Sequence, residues 1–420
     1  MKIQEISTND FLKRLEAVYG SDSVKKQEQR YLSLAESFKA AYGDNKDVRF
    51  FSAPGRTEVG GNHTDHNNGK VLAAAINLDA VAIAEARDDS IINVNSQGYS
   101  PLSVDSSDLS IKDEEEGKSE ALIRGVCARF KELGYKIGGF NACITSEVLS
   151  GSGLSSSAAY EVLIGTILNY LYNDGKVDAV EIACISQYAE NVYFKKPCGL
   201  MDQTACSVGG FVQIDFKDTK NPVINKVDFD LDEFDHALCI VDTGGNHADL
   251  TDDYASIRLE MNSVAEYFGK NVLREVEYSD VFANIGDIRT KTGDRAIERA
   301  IHFYNENRRV EKLAAALDTK DFDEFKRIIV ESGKSSYMYN QNCFTVKDPV
   351  NQPVSLALCI TEELLQGKAA YRVHGGGFAG TIQVFLPKSE VEAYTSAMRK
   401  VFGENSCYIL SVRSHGGCEI

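Results

Sequence analysis

Leu149-Ser150-Gly151-Ser152-Gly153-Leu154-Ser155-Ser156-Ser157-Ala158-Ala159 sets two glycines and a run of three serines directly before an apolar series at helical spacing, Ala159, Leu163, Ile167 and Leu171. The spacing predicts a helix over 158–171 that is entered from a glycine-rich loop. Such a junction gathers unpaired backbone N–H groups and the positive end of the helix dipole at one point, which suits a phosphate. The serine hydroxyls add donors, and a hard oxygen ligand for a cation such as Mg²⁺. A single Ser or Gly is enough to cap a helix. Three serines with two glycines favour a nucleotide phosphate over a plain cap.

Familiar nucleotide motifs do not account for this loop. Gly117-Lys118-Ser119 and Gly333-Lys334-Ser335 lack the upstream glycine of a Walker A loop. Gly375, Gly377 and Gly380 match the dinucleotide pattern literally, but Thr381–Leu386 reads as a strand where that fingerprint needs a helix. No His-Arg-Asp or Asp-Phe-Gly of the protein-kinase type is present.

The chain has 420 residues, 43% of them hydrophobic and 25% charged, enough for two domains with sizeable cores. No apolar run reaches transmembrane length, and the N-terminus is too polar for a signal peptide. Ten scattered cysteines without a Cys-x-x-Cys pair suit reduced thiols in a cytoplasmic protein. A formal charge of −17 argues against nucleic acid or an anionic membrane as partner. A monomer acting on small molecules is the expectation. Any bound ATP must then be neutralised locally.

Residues 1–43 pattern as a helical extension, and Val71–Ala86 as a buried strand region. Helices are expected over Leu122–Leu133, Asp178–Tyr193, Tyr254–Phe268, Ala296–Ala316 and Phe322–Ser332. Strands are expected over Gly139–Ile144, Phe211–Asp215 and His236–Asp242. Charged sequence near residue 225 marks the expected domain boundary, dividing the chain into 1–225 and 226–420. The mixture is α+β, without regular βαβ alternation.

Two further stretches carry chemistry. In Pro54-Gly55-Arg56-Thr57-Glu58-Val59-Gly60-Gly61-Asn62-His63-Thr64-Asp65-His66, Arg56 suits a phosphate or developing charge and Asp65 suits neutral hydroxyls. His63 and His66 without a third nearby ligand do not make a zinc site. In Cys198-Gly199-Leu200-Met201-Asp202-Gln203, Asp202 at the end of a turn suits a general base. Glu190, on the preceding helix, can complete a Mg²⁺ site with a serine of the loop.

The order Pro-Gly-Arg…His-Thr-Asp, Gly-x-Gly-Leu-Ser-Ser-Ser-Ala-Ala, Cys-Gly-x-Met-Asp-Gln and Gly-Gly-Gly-Phe-x-Gly resembles the GHMP small-molecule kinases, and within them the galactokinases, from about Phe50 to the C-terminus. The resemblance implies a ribosomal-S5-like N-terminal domain and a ferredoxin-like C-terminal domain with the active site between them. It also implies phosphoryl transfer from Mg-ATP to an anomeric sugar hydroxyl. By the same resemblance Asp202 takes the proton from that hydroxyl, and Arg56 stabilises the transferring phosphate and holds the aspartate ionised. Gly151, Ser152, Gly153, Leu154, Ser155, Ser156 and Ser157 match the triphosphate loop. Ser157 and Glu190 match the Mg²⁺ positions, and Ser96 a nucleotide contact. Asn62, His63, Thr64, Asp65, Gly199 and Tyr254 match sugar-binding positions.

The departures fall in the sugar box. Galactokinases usually carry Glu where Asn62 stands, Tyr where His66 stands and Asn where Glu58 stands. An amide at 62 removes a negative charge that would repel a carboxylate at the sugar C6. Galactose is the expected acceptor; galacturonate and arabinose are alternatives. A silent sugar sensor is disfavoured because Ser155–Ala159, Arg56 and Asp202 are intact. Mevalonate or homoserine would have no use for His63-Thr64-Asp65.

Overall fold

The computed structural model describes residues 6–43, 47–148, 153–245, 250–378 and 380–420. The helices are α1 (Asn9–Tyr19), α2 (Val24–Tyr42), α3 (Ser119–Glu132), α4 (Ser156–Tyr172), α5 (Ala179–Tyr188), α6 (Met201–Val208), α7 (Thr251–Tyr267), α8 (Tyr278–Ala283), α9 (Ile285–Thr292), α10 (Asp294–Asp318), α11 (Phe322–Ser335), α12 (Pro353–Leu365) and α13 (Val391–Phe402). The strands are β1 (Arg49–Gly60), β2 (Lys70–Ala86), β3 (Ile91–Ser96), β4 (Leu102–Asp105), β5 (Phe140–Ser146), β6 (Phe211–Asp215), β7 (Val223–Val227), β8 (His236–Asp242), β9 (Ala370–His374), β10 (Thr381–Pro387), β11 (Cys407–Leu410) and β12 (Cys418–Glu419). Among the described residues no helix is long and apolar enough to cross a membrane.

The chain forms two compact units: Met1–Arg56 with Ala75–Gly210 and Arg413–Ile420, and Thr57–Ala74 with Phe211–Val412. This division differs from a single cut near residue 225. The physical reason is that β1 and β2 are long strands whose halves fall in different units, while the last eight residues return to the first.

In the first unit, β2 pairs β5 antiparallel, β5 pairs β3 parallel and β3 pairs β4 antiparallel. β12 adds to β1, with Phe51 opposite Glu419. The apolar, small-residue sequence of β2 is explained by near-complete burial over Val71–Ala84. α4 is apolar almost all round because its middle, Glu161–Asn169, is buried throughout. The N-terminal extension is built into this core: Phe11, Tyr31 and Phe50 pack edge to face at 5.1–5.9 Å between ring centroids. Beneath them, the buried Asp79 carboxylate accepts hydrogen bonds from Arg30, Ser52, Tyr19 (2.6 Å) and Arg413 (2.8 Å).

In the second unit, β8 to β11 form an antiparallel sheet in the order β11-β8-β10-β9. α12 and α13 pack on it through Val354, Ala357, Tyr394 and Met398. A separate apolar core joins α7 to α10 through Ile257, Met261, Val264, Ala300 and Phe303. The antiparallel sheet with segregated helices is the α+β arrangement expected from the sequence.

One expected helix, Asp178–Tyr193, changes character on the way. α5 ends at Tyr188 and the chain continues as a π-helical turn over Ala189–Tyr193, which carries Glu190. Such widened turns recur at functional positions because they re-aim one side chain.

Candidate active site

The serine loop is described from Gly153 onward; Gly151 and Ser152 lie outside the described residues. Ser155 stands at the N-cap of α4 in the left-handed region, φ 62° and ψ 59°, a conformation that non-glycine residues rarely adopt. The turn leaves the first N–H groups of α4 without a side-chain cap. Strand β1 fixes the loop: Arg56 N donates to Leu154 O at 3.1 Å. A Cβ on Gly55 would fall 2.7 Å from that same carbonyl, so only glycine permits the approach.

Arg56 reaches across the loop to α6. Its Nε donates to Asp202 Oδ1 at 2.8 Å, its Nη2 to Asp202 Oδ2 at 2.7 Å and its Nη1 to Gly153 O at 2.5 Å. Ser155 Oγ donates to the same Asp202 Oδ2. The guanidinium is buried, whereas the Asp202 side chain keeps 31% of its surface exposed. A bidentate fork fixes the plane of the carboxylate while leaving it open to a ligand. Asp202 sits in the first turn of α6, behind the exposed Gly199. The turn at Cys198 is held by Asn191, which donates to the Cys198 carbonyl (3.2 Å) and accepts from its N–H (2.7 Å).

Glu190 is buried and meets the loop helix. Its Oε1 accepts from Ser157 Oγ at 3.2 Å and from Lys196 Nζ at 3.0 Å, and its Oε2 accepts from Gln203 Nε2 at 2.8 Å. Gln203 also donates to Glu161 Oε2 at 3.1 Å. Burial, and then the neighbouring Glu190, push the Glu161 carboxyl well above the usual carboxylate range. A carboxylate and a hydroxyl side by side are hard oxygen donors, the set a Mg²⁺ ion takes. Ser96 ends β3 opposite Ile144, and Ser156 starts α4 beside Ser157.

The sugar box lies in the second unit. The Asn62 side chain is fully buried and bonded to Glu58, Gly375, Ser336 and Asn342. Thr64 is likewise buried, its hydroxyl bonded to Gly61 O and Lys70 O, which closes the turn. His63, Asp65 and His66 are partly exposed. His66 Nδ1 meets Asp65 Oδ1 at 2.9 Å, His63 Nδ1 meets His66 Nε2 at 3.3 Å, and His63 Nε2 meets Gly376 O at 2.8 Å. A carboxylate and a carbonyl only accept, so His66 Nδ1 and His63 Nε2 both carry protons. The hydrogen bond between the rings needs one more proton, so it forms only when one of the two imidazoles is charged. Of the two, His66 favours that proton: burial and the neighbouring imidazole push His63 down to about 3. Burial also opposes charge on His66, but Asp65 outweighs it and raises the net value. Tyr254 OH donates to Gly377 O at 2.8 Å.

Among these contacts, Glu161, Ser336 and Asn342 lie outside the motifs the sequence offers, each a single residue on another element.

Residues 36–86 match the galactokinase galactose-binding signature and residues 121–210 the N-terminal domain of GHMP kinases. The galactokinase of Streptomyces coelicolor is 32% identical over 88% of this chain and 92% of its own length. That of Clostridium tetani is 28% identical over 92% and 97%. Among solved structures, Lactococcus lactis galactokinase complexed with galactose superposes with a TM-score of 0.76 at 24% identity, covering 92% of this chain and 99% of that one.

Proposed function

The chain belongs to the galactokinase family of GHMP kinases, and from that membership we propose how its residues divide the transfer of the ATP γ-phosphate to the C1 hydroxyl of galactose. The protein is an ATP-dependent sugar kinase that converts ATP and D-galactose to ADP and galactose 1-phosphate. Phosphoryl transfer asks a protein mainly for positioning and charge neutralisation, and the proposed roles follow that demand.

Asp202 accepts the proton of the C1 hydroxyl as the oxygen attacks phosphorus. The carrying observation is the fork from Arg56 at 2.8 and 2.7 Å, which orients a carboxylate that remains partly open. Arg56 also offsets the charge on the transferring group. The N–H groups at the start of α4, with Gly153–Ser157, hold the triphosphate. Ser157 and Glu190 would hold Mg²⁺, which would neutralise phosphate charge there. His63, Asp65, Gly199 and Tyr254 contact the sugar, while Asn62 and Thr64 shape the box around them. A cytoplasmic monomer acting on small molecules completes the proposal; all ten cysteines are free thiols, as suits a reducing compartment.

The test is ADP release with D-galactose, with the product checked for an anomeric phosphate, in the wild type and in Asp202→Ala. Loss of turnover with ATP binding kept supports the assignment; near-normal turnover overturns it. A second reading, a uronate acceptor, is favoured by one observation. Both box carboxylates face cations, Glu58 facing Arg372 at 2.7 Å and Asp65 facing His66 at 2.9 Å. A panel of galactose, galacturonate and arabinose separates the readings by relative kcat/KM.

A further inference from the structure

Every hydrogen-bonding position on the Asn62 side chain is taken by protein. Nδ2 donates to Glu58 Oε1 at 3.0 Å and to Gly375 O at 2.7 Å. Oδ1 accepts from Ser336 Oγ at 3.1 Å and from Asn342 Nδ2 at 2.9 Å. An amide has two donor protons and two acceptor lone pairs, so no capacity remains for a ligand. The backbone carbonyl of Asn62 is also engaged, by His302 Nε2 at 3.0 Å.

The amide cannot turn over. Glu58 only accepts, and Arg372 holds it there, Nη2 donating to Oε1 at 2.7 Å while Nη1 donates to Val59 O at 2.8 Å. A flipped amide would set its oxygen against that carboxylate and against the Gly375 carbonyl, with its nitrogen facing donors.

What Asn62 holds is the glycine run. Gly375 O accepts from Asn62, Gly376 O from His63 (2.8 Å) and Asn342 (3.1 Å), and Gly377 O from Tyr254 (2.8 Å). Gly377 lies at φ 82°, and a Cβ there would fall 2.0 Å from Asn342 O. The run is therefore pressed against Asn342, which itself donates to Asn62. Two residues proposed to touch the sugar, His63 and Tyr254, take their orientation from the Gly376 and Gly377 carbonyls, which follow directly on the Gly375 carbonyl that Asn62 holds.

We propose that Asn62, locked by Glu58 and Arg372, is a positioning residue for acceptor recognition, acting through the Gly375–Gly377 carbonyls on His63 and Tyr254. The proposal rests on the sugar-kinase reading of the box. Its test is Asn62→Asp, which places a second carboxylate against Glu58 and removes both donated hydrogen bonds. Two readouts are taken: the KM values for galactose and for ATP, and hydrogen exchange of the peptide spanning Gly375–Phe378.

The expected result is a galactose KM raised about tenfold with the ATP KM within about twofold, together with faster exchange of that peptide. Adding Glu58→Gln to that variant relieves the like-charge contact but leaves the bond to Gly375 missing, so both effects recover only in part, while the kept ATP KM separates them from a general loss of folding. If Asn62→Asp does not fold, Ser336→Ala removes one of the same four bonds and shifts both readouts in the same direction by less. Unchanged galactose KM and unchanged exchange overturn the proposal. A wild type inert toward galactose would instead sink the acceptor reading, and the exchange data would still decide the role of Asn62.

Discussion

Arg56 grips Asp202 through two parallel hydrogen bonds, Nε to Oδ1 at 2.8 Å and Nη2 to Oδ2 at 2.7 Å, and directs its remaining amino group to the Gly153 carbonyl of the serine loop. One guanidinium thus ties the proposed base to the proposed phosphate site. Lysine carries the charge but not the fork. Arg56→Lys is expected to lower kcat by about 10²-fold with a modest change in ATP KM, and Asp202→Ala by about 10³-fold. Single-turnover phosphate transfer, with nucleotide binding followed separately by calorimetry, checks both. If Arg56→Lys kept full activity, the geometry of the fork would be irrelevant to transfer.

The pair Ser157 and Glu190 makes a different forecast. Glu190→Gln keeps the shape and the contact with Gln203 but discards the charge that a hard cation needs. The expected outcome is a several-fold weaker Mg²⁺ dependence of ADP binding, measured without the sugar, while metal-free ADP binds as before. Identical Mg²⁺ titrations in the variant and the wild type would remove Glu190 from the cation site.

Much of this is legible in the sequence because the chemistry sits in contiguous boxes. Glycines and serines before an apolar helix mark the loop, and β10 and β8 are readable from their apolar runs, which are buried throughout or nearly so. What cannot be read is what acts at a distance. Asn62 reads as a sugar position because it stands where the resemblance puts a sugar-contacting glutamate, yet the turn that leaves His63 and Asp65 partly exposed points its amide inward at Ser336 and Asn342, some 280 residues downstream. Glu190 reads as part of a regular helix, and the π-helical turn that aims it at Ser157 has no signature in composition. The unit division is hidden because strands β1 and β2 read as continuous, and continuity along a strand says nothing about which core each half joins.

The imidazole pair predicts a pH profile. His66 is raised above its ordinary value by Asp65, against the opposing effect of burial, so its contribution to stability is complete below about 6.5 and is lost as pH rises through the folded value. His63 is depressed to about 3, and its contribution runs the other way, present above about 6.5 and lost as pH falls toward that value. His66→Phe should flatten the decline in melting temperature on the alkaline side of neutrality and soften the acid limb only in part, since burial also depresses His63. The check is a set of melts across about pH 5 to 9 in steps of about half a unit. An alkaline decline of equal steepness in the variant would show that His66 does not carry it.

The N-terminal helices yield the last prediction, about stability and not transfer. Arg30 on α2 and Arg413 near the C-terminus meet on Asp79, which burial alone would push up but which the two guanidinium groups hold below the usual carboxylate range. Removing one partner leaves a buried carboxylate short of countercharge, and Arg30→Ala is expected to cost about 3–5 kcal/mol. The sign with pH follows from the depressed value: this stability is present above the ordinary carboxylate pKa of about 4 and disappears as pH falls through the folded one. Deleting residues 1–43 removes Arg30 and Tyr19 and also uncovers Phe50, which packs on Phe11 and Tyr31. The shortened chain should therefore fail to give a cooperative melt, even though every proposed catalytic residue lies beyond residue 43. A truncated chain that melts at the wild-type temperature would show that the extension is an appendage. A folded Arg30→Ala with unchanged stability would show that Arg413 alone satisfies Asp79.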